Sequence, residues 1–149
     1  MNIIGCSPSA LDAVQKATGE LKYLDDLGET RYFAKAVRLD VPHACIQAIR
    51  TSAATKLPGI LAVLTAGDIP GNPLFGVMQK DQPLLAQDRV RMAGEAIALV
   101  VGERAAVEEA CAQVGVYYEP LPVIATAEQA LTDGAYDING KGNLFARRV

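Results

Sequence analysis

The feature that most constrains the fold is a continuous apolar run at residues 96–101. A strand with one solvated face alternates apolar and polar side chains, whereas six consecutive apolar residues indicate a strand covered on both faces. The sequence therefore predicts a central strand at this position.

The residues that follow the apolar run change to helical spacing. They predict one amphipathic helix over residues 104–114, ended by Gly115, with extended chain resuming at residues 116–118. The side chains expected to face the sheet are Val107, Ala110, Cys111 and Val114. The unit is strand, helix, strand, and the composition fits a mixed α/β class.

Length and composition favour a single domain over residues 1–149. Half of the residues are hydrophobic and 21% are charged, which excludes a disordered chain. A net charge of −3 without a basic cluster argues against a nucleic-acid partner. Residues 1–30 lack the pattern of a signal peptide, and no apolar run approaches the roughly 20 residues that span a bilayer. We expect a cytoplasmic protein.

The remainder of the chain predicts short elements and two poorly explained segments. A strand at residues 21–24 is expected to form a hairpin with a strand at 31–39, and further strands are expected at 45–49 and 60–64. Helical turns are predicted after Thr51 or Ser52 and after Thr126. Residues 75–89 have no clear period, which is typical of a functional loop or one covered by a partner. Residues 133–149 offer few core candidates and are interpreted as a C-terminal arm or linker.

The candidates for chemistry are isolated residues. Glu95, which follows Gly94 at the mouth of the buried strand, is the best single candidate, although a turn residue or salt-bridge partner is the favoured interpretation. His43 is the only histidine, so we favour a turn or capping role over a metal site. Asp25 and Asp26 are interpreted as a solvated turn.

The remaining candidates carry still weaker signals. Arg31, Arg38 and Arg91 could bind an anion. However, arginines scattered on strand faces are commonly just exposed. The sequence around Lys141 resembles a phosphate loop only superficially, since no Ser or Thr follows it and no strand–helix frame surrounds it. The three cysteines lack CxxC spacing, so neither a zinc knuckle nor an iron–sulfur cluster is predicted. We therefore expect no catalytic, cofactor-binding or metal residues in this chain. We expect the thiols to be reduced and Cys111 to be a core residue.

Several phrases occur in the same order as in one known domain. They are Lys16-Ala17-Thr18-Gly19 with Tyr23 and Asp26, Pro42-His43-Ala44, Leu57-Pro58-Gly59-Ile60, residues 63–71, Gln82-Pro83-Leu84-Leu85-Ala86, residues 91–101 and Tyr118-Glu119-Pro120-Leu121-Pro122. Over residues 12–143 the chain resembles the N-terminal domain of the molybdenum-binding subunit of the xanthine dehydrogenase and aldehyde oxidase family. It departs from the family at residues 39–41, where the link is usually shorter, and at Met92-Ala93, where an aromatic-containing pair is more usual.

The resemblance implies an α+β (mixed α/β) fold of the α/β-hammerhead type, which is a mixed sheet with one main crossover helix. It also implies a place in a molybdopterin-dependent hydroxylase. Enzymes of that family oxidise a carbon of a heterocycle or aldehyde with water as the oxygen source. They use molybdopterin together with iron–sulfur clusters and often FAD on other domains or subunits. Their catalytic glutamate and most cofactor-binding segments lie beyond this first domain, so we expect no cofactor on this chain, and we expect the other subunit domains and an iron–sulfur component as partners.

Three hypotheses follow. The first is a structural domain of a molybdenum hydroxylase, inactive alone. The second is a stand-alone binding module with the same fold and no enzyme activity. The third is a small independent enzyme that uses Glu95. Apolar residues at 75–85 and in the tail are expected to be mobile in an isolated monomer, or buried by self-association in a homo-oligomer.

Overall fold

The computed structural model describes residues 4–28, 32–77, 80–138, 140 and 142–144. The chain separates into two compact units, residues 1–31 and residues 32–149. The end of the tail, with Phe145 and Val149, lies outside the described residues, as do Met78, Arg31 and Lys141. The arm or linker at residues 133–149 and the assignment of residues 1–149 to one domain stay predictions.

The first unit contains a short helix and a turn. Helix α1 spans Ala13–Thr18 and ends at Gly19, whose φ of 75° is the left-handed conformation that glycine adopts readily. A 3₁₀ helix follows at Leu24–Asp26, where the Asp26 carboxylate accepts a hydrogen bond from the Tyr23 backbone N–H at 3.0 Å. The predicted strand and hairpin at residues 21–24 are therefore wrong, because a local cap satisfies the backbone groups that a strand would offer to a partner.

The described residues of the second unit form short strands and helices. In chain order they are β1 (Phe33–Leu39), β2 (Ala44–Arg50), α2 (Ser52–Thr55), β3 (Ile60–Thr65), a 3₁₀ helix (Ala66–Asp68), β4 (Leu74–Phe75), β5 (Gln82–Pro83), β6 (Arg89–Val90), β7 (Glu95–Gly102), α3 (Arg104–Ala112), β8 (Gly115–Pro120) and α4 (Ala127–Ala130). Among the described residues, no helix has the length and apolar character needed to cross a bilayer.

These strands belong to two three-stranded antiparallel sheets and one short ribbon. Sheet 1 has the order β1-β7-β3, sheet 2 has the order β6-β2-β8, and β4 pairs with β5. The predicted central position of β7 and the strand–helix–strand unit are confirmed. The sequence did not indicate that β7 and β8 lie in different sheets, so that α3 crosses from one antiparallel sheet to another.

Helix α3 covers one face of sheet 1. Val107, Ala110 and Val114 are buried in a cluster with Val100 of β7 and Ala54 of α2, and Cys111 packs against this cluster. The predicted burial of these four side chains is confirmed, with Cys111 only partly buried. The predicted end of the helix is wrong, because α3 ends at Ala112 and Val114 lies beyond it. This helix-side cluster is the main core of the unit.

A β-bulge allows β7 to contribute to a second core. Val37 pairs with Ala98 and Arg38 with Ala96, so Ile97 is an extra residue between them. Consequently the successive residues Ile97 and Ala98 are both fully buried. Ile97 packs in a cluster whose other buried members are Ile46, Ala86 and Val90. One strand therefore joins the two cores.

The turn from β7 into α3 passes very close to the start of β3. Gly102 pairs with Ile60, and the next backbone N–H, that of Glu103, donates to the Gly59 carbonyl oxygen at 2.8 Å. A Cβ atom on Gly102 would lie 2.5 Å from that oxygen. Only glycine fits here without a shift of the backbone.

We predict that Gly102→Ala lowers the free energy of unfolding by roughly 1–3 kcal/mol because the added methyl group overlaps a backbone carbonyl. The control is Gly115→Ala in β8, where the new Cβ would lie 3.7 Å from the Arg50 Cβ, an ordinary contact. Urea denaturation of both variants measures the difference. Equal effects of the two substitutions would contradict the close approach at Gly102.

Candidate functional site

Glu95, the best catalytic candidate from the sequence, holds a turn. Its Oε2 accepts a hydrogen bond from the Arg91 backbone N–H at 2.6 Å, and its Oε1 lies 3.9 Å from Arg91 Nη1. The Glu95 side chain is only 11% exposed. Between Arg91 and Glu95, Gly94 has a φ of 83°, and the Gly94 N–H donates to the Leu39 carbonyl oxygen. The carboxylate is therefore engaged in a tight turn before β7, which is the favoured interpretation of the sequence.

The two described arginines from the sequence candidates donate to carbonyl oxygens of this chain. Arg38 Nη1 lies 2.7 Å from the Gly94 oxygen, and Arg91 Nη1 lies 3.2 Å from the Arg89 oxygen. Both guanidinium groups thus fasten the turn before β7 to its neighbours. This arrangement gives them a structural role and does not gather them around a common point for an anion.

His43 fastens the segment that follows β8. Its ring is 3% exposed, and Nδ1 lies 2.5 Å from the Pro122 carbonyl oxygen, which can only accept, so Nδ1 carries the proton. The His43 backbone oxygen also accepts a hydrogen bond from the Leu121 N–H at 3.0 Å. Among the described residues, Nε2 has no hydrogen-bond partner. The predicted capping role agrees with these contacts, because the His43 ring and backbone pair with polar backbone groups that follow the end of β8.

The segment after α4 is held by contacts that the sequence did not reveal. Arg89 Nη1 donates to the Ile138 oxygen at 3.1 Å, and the Arg89 guanidinium lies 5.3 Å from the centre of the Tyr136 ring. That ring meets His43 edge to face at 4.9 Å. The Asn143 side-chain amide donates to the Ala130 and Tyr136 oxygens. Single polar residues far apart in sequence form this latch, and no period or motif announces it.

The glycines on either side of Lys141 do not present their N–H groups to a phosphate. The Asp137 carboxylate accepts both, from Gly140 and from Gly142, each at 2.8 Å. A phosphate loop needs such N–H groups to point at its ligand. The structure therefore supports the rejection of a phosphate loop here, although Lys141 itself lies outside the described residues.

Cys111 lies beside an ion pair on the rim of the helix-side core. Lys35 of β1 contacts Glu108 of α3, and this hydrogen bond raises the pKa of Lys35. Burial raises the pKa of the Cys111 thiol above its usual value, and Lys35 only partly offsets this effect. A raised pKa disfavours the thiolate, so Cys111 fits a core residue and not a nucleophile.

Within the parts of the chain that the structure describes, no group of three His, Cys, Asp or Glu side chains could hold a metal ion. The absence of catalytic, cofactor-binding and metal residues from the whole chain stays a prediction.

An apolar concavity of about 440 Å³ lies on the face of sheet 1 opposite α3. Its lining comes from β1, β3, β7, the 3₁₀ helix and the segment after β5, and consists of Ala36, Arg38, Leu64, Asp68, Ile69, Pro70, Leu84, Leu85, Ala96 and Leu99. We call this surface the cavity face.

Comparison with known proteins places the chain beside one group of enzymes. Residues 18–122 match the family described as aldehyde oxidase and xanthine dehydrogenase, a/b hammerhead domain. The chain is 40% identical over 138 residues to a probable xanthine dehydrogenase subunit of Bacillus subtilis, covering 91% of this chain and 18% of the relative. It is 35% identical over 148 residues to the xanthine dehydrogenase molybdenum-binding subunit of Escherichia coli, covering 91% of this chain and 20% of the relative.

A solved structure shows the same fold. The aldehyde oxidoreductase of Desulfovibrio desulfuricans superposes with a TM-score of 0.84 and 27% identity over 95% of this chain and 17% of that one. The chain thus spans about a fifth or less of the length of these proteins. The hammerhead fold implied by the sequence resemblance is confirmed.

We predict that Glu95→Ala lowers the free energy of unfolding by about 1–2 kcal/mol, because the Arg91 N–H loses its acceptor. The matched variant Glu95→Gln retains an amide oxygen at the same place and should lose less than half as much. Urea denaturation of the two variants gives the comparison. If both lose the same amount, the negative charge and not the hydrogen bond holds the turn.

Proposed function

The chain belongs to the α/β-hammerhead domain family of aldehyde oxidases and xanthine dehydrogenases, and on that premise we propose that it is the N-terminal structural domain of a molybdopterin-dependent hydroxylase. In the complete enzyme, a carbon of a heterocycle or an aldehyde would be oxidised with water as the oxygen source. The observation that carries the proposal is the coverage, since nearly all of this chain matches only about a fifth of the subunits it resembles.

The polar groups of the described residues support a structural role. Glu95 and Arg38 hold the turn before β7, His43 holds the segment after β8, and Asp137 holds the loop at residues 140–142. Each of these four side chains is thus bonded to the backbone of this chain. A catalytic group would need its functional atoms directed toward a substrate position.

Molybdopterin does not fit the residues described here. When bound in an enzyme of this kind, the group supplies the oxo-transfer centre and accepts the two electrons of the oxidation. A site for it would need convergent polar groups, whereas the cavity face is lined mainly by aliphatic side chains, and its two charged residues are already bonded within the chain. We therefore assign the cofactor to the remainder of the subunit and derive no step of the reaction from this chain.

The proposal includes the partners and the location. The remaining domains of a molybdenum subunit and an iron–sulfur component, with FAD in some assemblies, would complete the electron path. The proposed location is the cytoplasm, where thiols stay reduced. The free thiols of Cys45 and Cys111 are compatible with it.

The test is a chimera built on the full-length Escherichia coli molybdenum-binding subunit, with this chain in place of the matching segment. We expect the assembled chimera to retain molybdenum after gel filtration and to oxidise xanthine, whereas the isolated 149-residue chain carries no molybdenum and has no activity. Elemental analysis and a xanthine oxidation assay give both results. Stoichiometric molybdenum on the isolated chain would contradict the proposal.

A further inference from the structure

We propose that the cavity face of sheet 1 is the surface on which the remainder of the molybdenum subunit docks, through an apolar element of that polypeptide. This inference rests on the proposed function and adds to it the face that makes the contact. Three observations support it. They are the second apolar side of β7, the shape of the cavity face, and the hydrogen bonds of the two charged residues at that face.

Strand β7 is apolar on both sides, but the helices cover only one. Val100 points into the helix-side core against Val107 and Ala110 of α3. Ala96 and Leu99, on the other side, line the open cavity face. A continuous apolar strand is expected to be covered on both faces. The cover of this second side therefore has to come from a further layer.

Leucines around the cavity face remain accessible. Leu64 of β3 is 37% exposed, and Leu84 of the segment after β5 is 49% exposed. Concentrated apolar exposure of this kind marks a contact surface more often than scattered single residues do.

The two charged residues at the cavity face are bonded within the chain. The Arg38 guanidinium donates to the Gly94 oxygen, and the Asp68 carboxylate accepts from the Thr65 N–H at 2.7 Å and from the Thr65 hydroxyl at 2.9 Å. The same hydrogen bonds lower the pKa of Asp68. A partner that covers this face would leave each of these two groups with a hydrogen bond inside the chain. A small polar ligand, in contrast, would find few groups to orient it.

The shape favours a protruding partner over a second copy of this chain. A twofold dimer brings the same surface of both copies together. Two concave faces would then enclose a void, which well-packed protein contacts avoid. The region matched by this chain is only 18% and 20% of the two relatives, so in a subunit of that length a large polypeptide is available to fill the concavity.

The test introduces one carboxylate at the cavity face and one beside it. Leu64→Glu places the charge on the proposed contact. Leu61→Glu is the matched control, since Leu61 lies on the same strand, is 64% exposed and does not line the cavity face. Leu84→Glu is a second test variant on a different segment. Because all three side chains are substantially exposed, the isolated chain should keep its urea midpoint in each variant.

In the Escherichia coli chimera we expect Leu64→Glu and Leu84→Glu to reduce the fraction of subunit that retains molybdenum by about tenfold or more, since docking would bury an unpaired charge. Leu61→Glu should stay within about twofold of the unsubstituted chimera, as expected for an exposed site. If the cavity-face variants match Leu61→Glu, the docking inference is wrong while the proposed function stands. If the unsubstituted chimera fails where the natural subunit succeeds, the proposed function fails, and the docking inference with it.

Sedimentation of the isolated chain tests whether a second copy of this chain, and not the remainder of the subunit, covers the cavity face. We expect a monomer for the unsubstituted chain and for all three variants. A dimer that Leu64→Glu dissociates and Leu61→Glu leaves intact would show that a second copy covers the cavity face, and it would overturn the inference.

Discussion

Backbone pairing of β7 with β1 on one side and with β3 on the other holds an apolar strand at the centre of sheet 1. Its side chains then project above and below the sheet, and each side needs an apolar layer. The bulge at Ile97 divides one of these sides between two cores, because Val100 packs under α3 whereas Ile97 packs with Ile46 and Val90. Helix α3 contributes to the first of these cores, and β2 contributes Ile46 to the second.

The sequence predicts the elements whose signal is local. Three such signals each lie within about ten consecutive residues. They are the apolar run of β7, the 3.6-residue period of α3 and the cap at Thr126, and all three predictions are confirmed. The strand expected at residues 21–24 is wrong, because a 3₁₀ helix begins at Leu24 and the Asp26 carboxylate accepts the Tyr23 N–H. The division of β7 and β8 between two sheets depends on pairings between distant segments, which no local period contains.

The polar residues show the same difference between local signals and contacts between distant segments. Glu95 and His43 stand out in the sequence because they are isolated, and both bond to nearby backbone. The latch formed by Arg89, Tyr136 and Asn143 carries no motif and was not predicted. The family, in contrast, could be recognised from the order of short phrases. Those phrases span turns whose geometry requires particular residues, as at Gly59 and Gly94, which have positive φ angles.

Native-state hydrogen exchange of the isolated chain tests most directly whether β7 organises the fold. Amides of residues 98–101 lie between two partner strands, so we expect them to exchange only when the whole second unit unfolds, with an opening free energy equal to that from urea denaturation. Amides of β6, which has two residues and a single partner strand, should exchange earlier. Opening of residues 98–101 well below the global free energy, while β2 and β8 stay protected, would contradict the account.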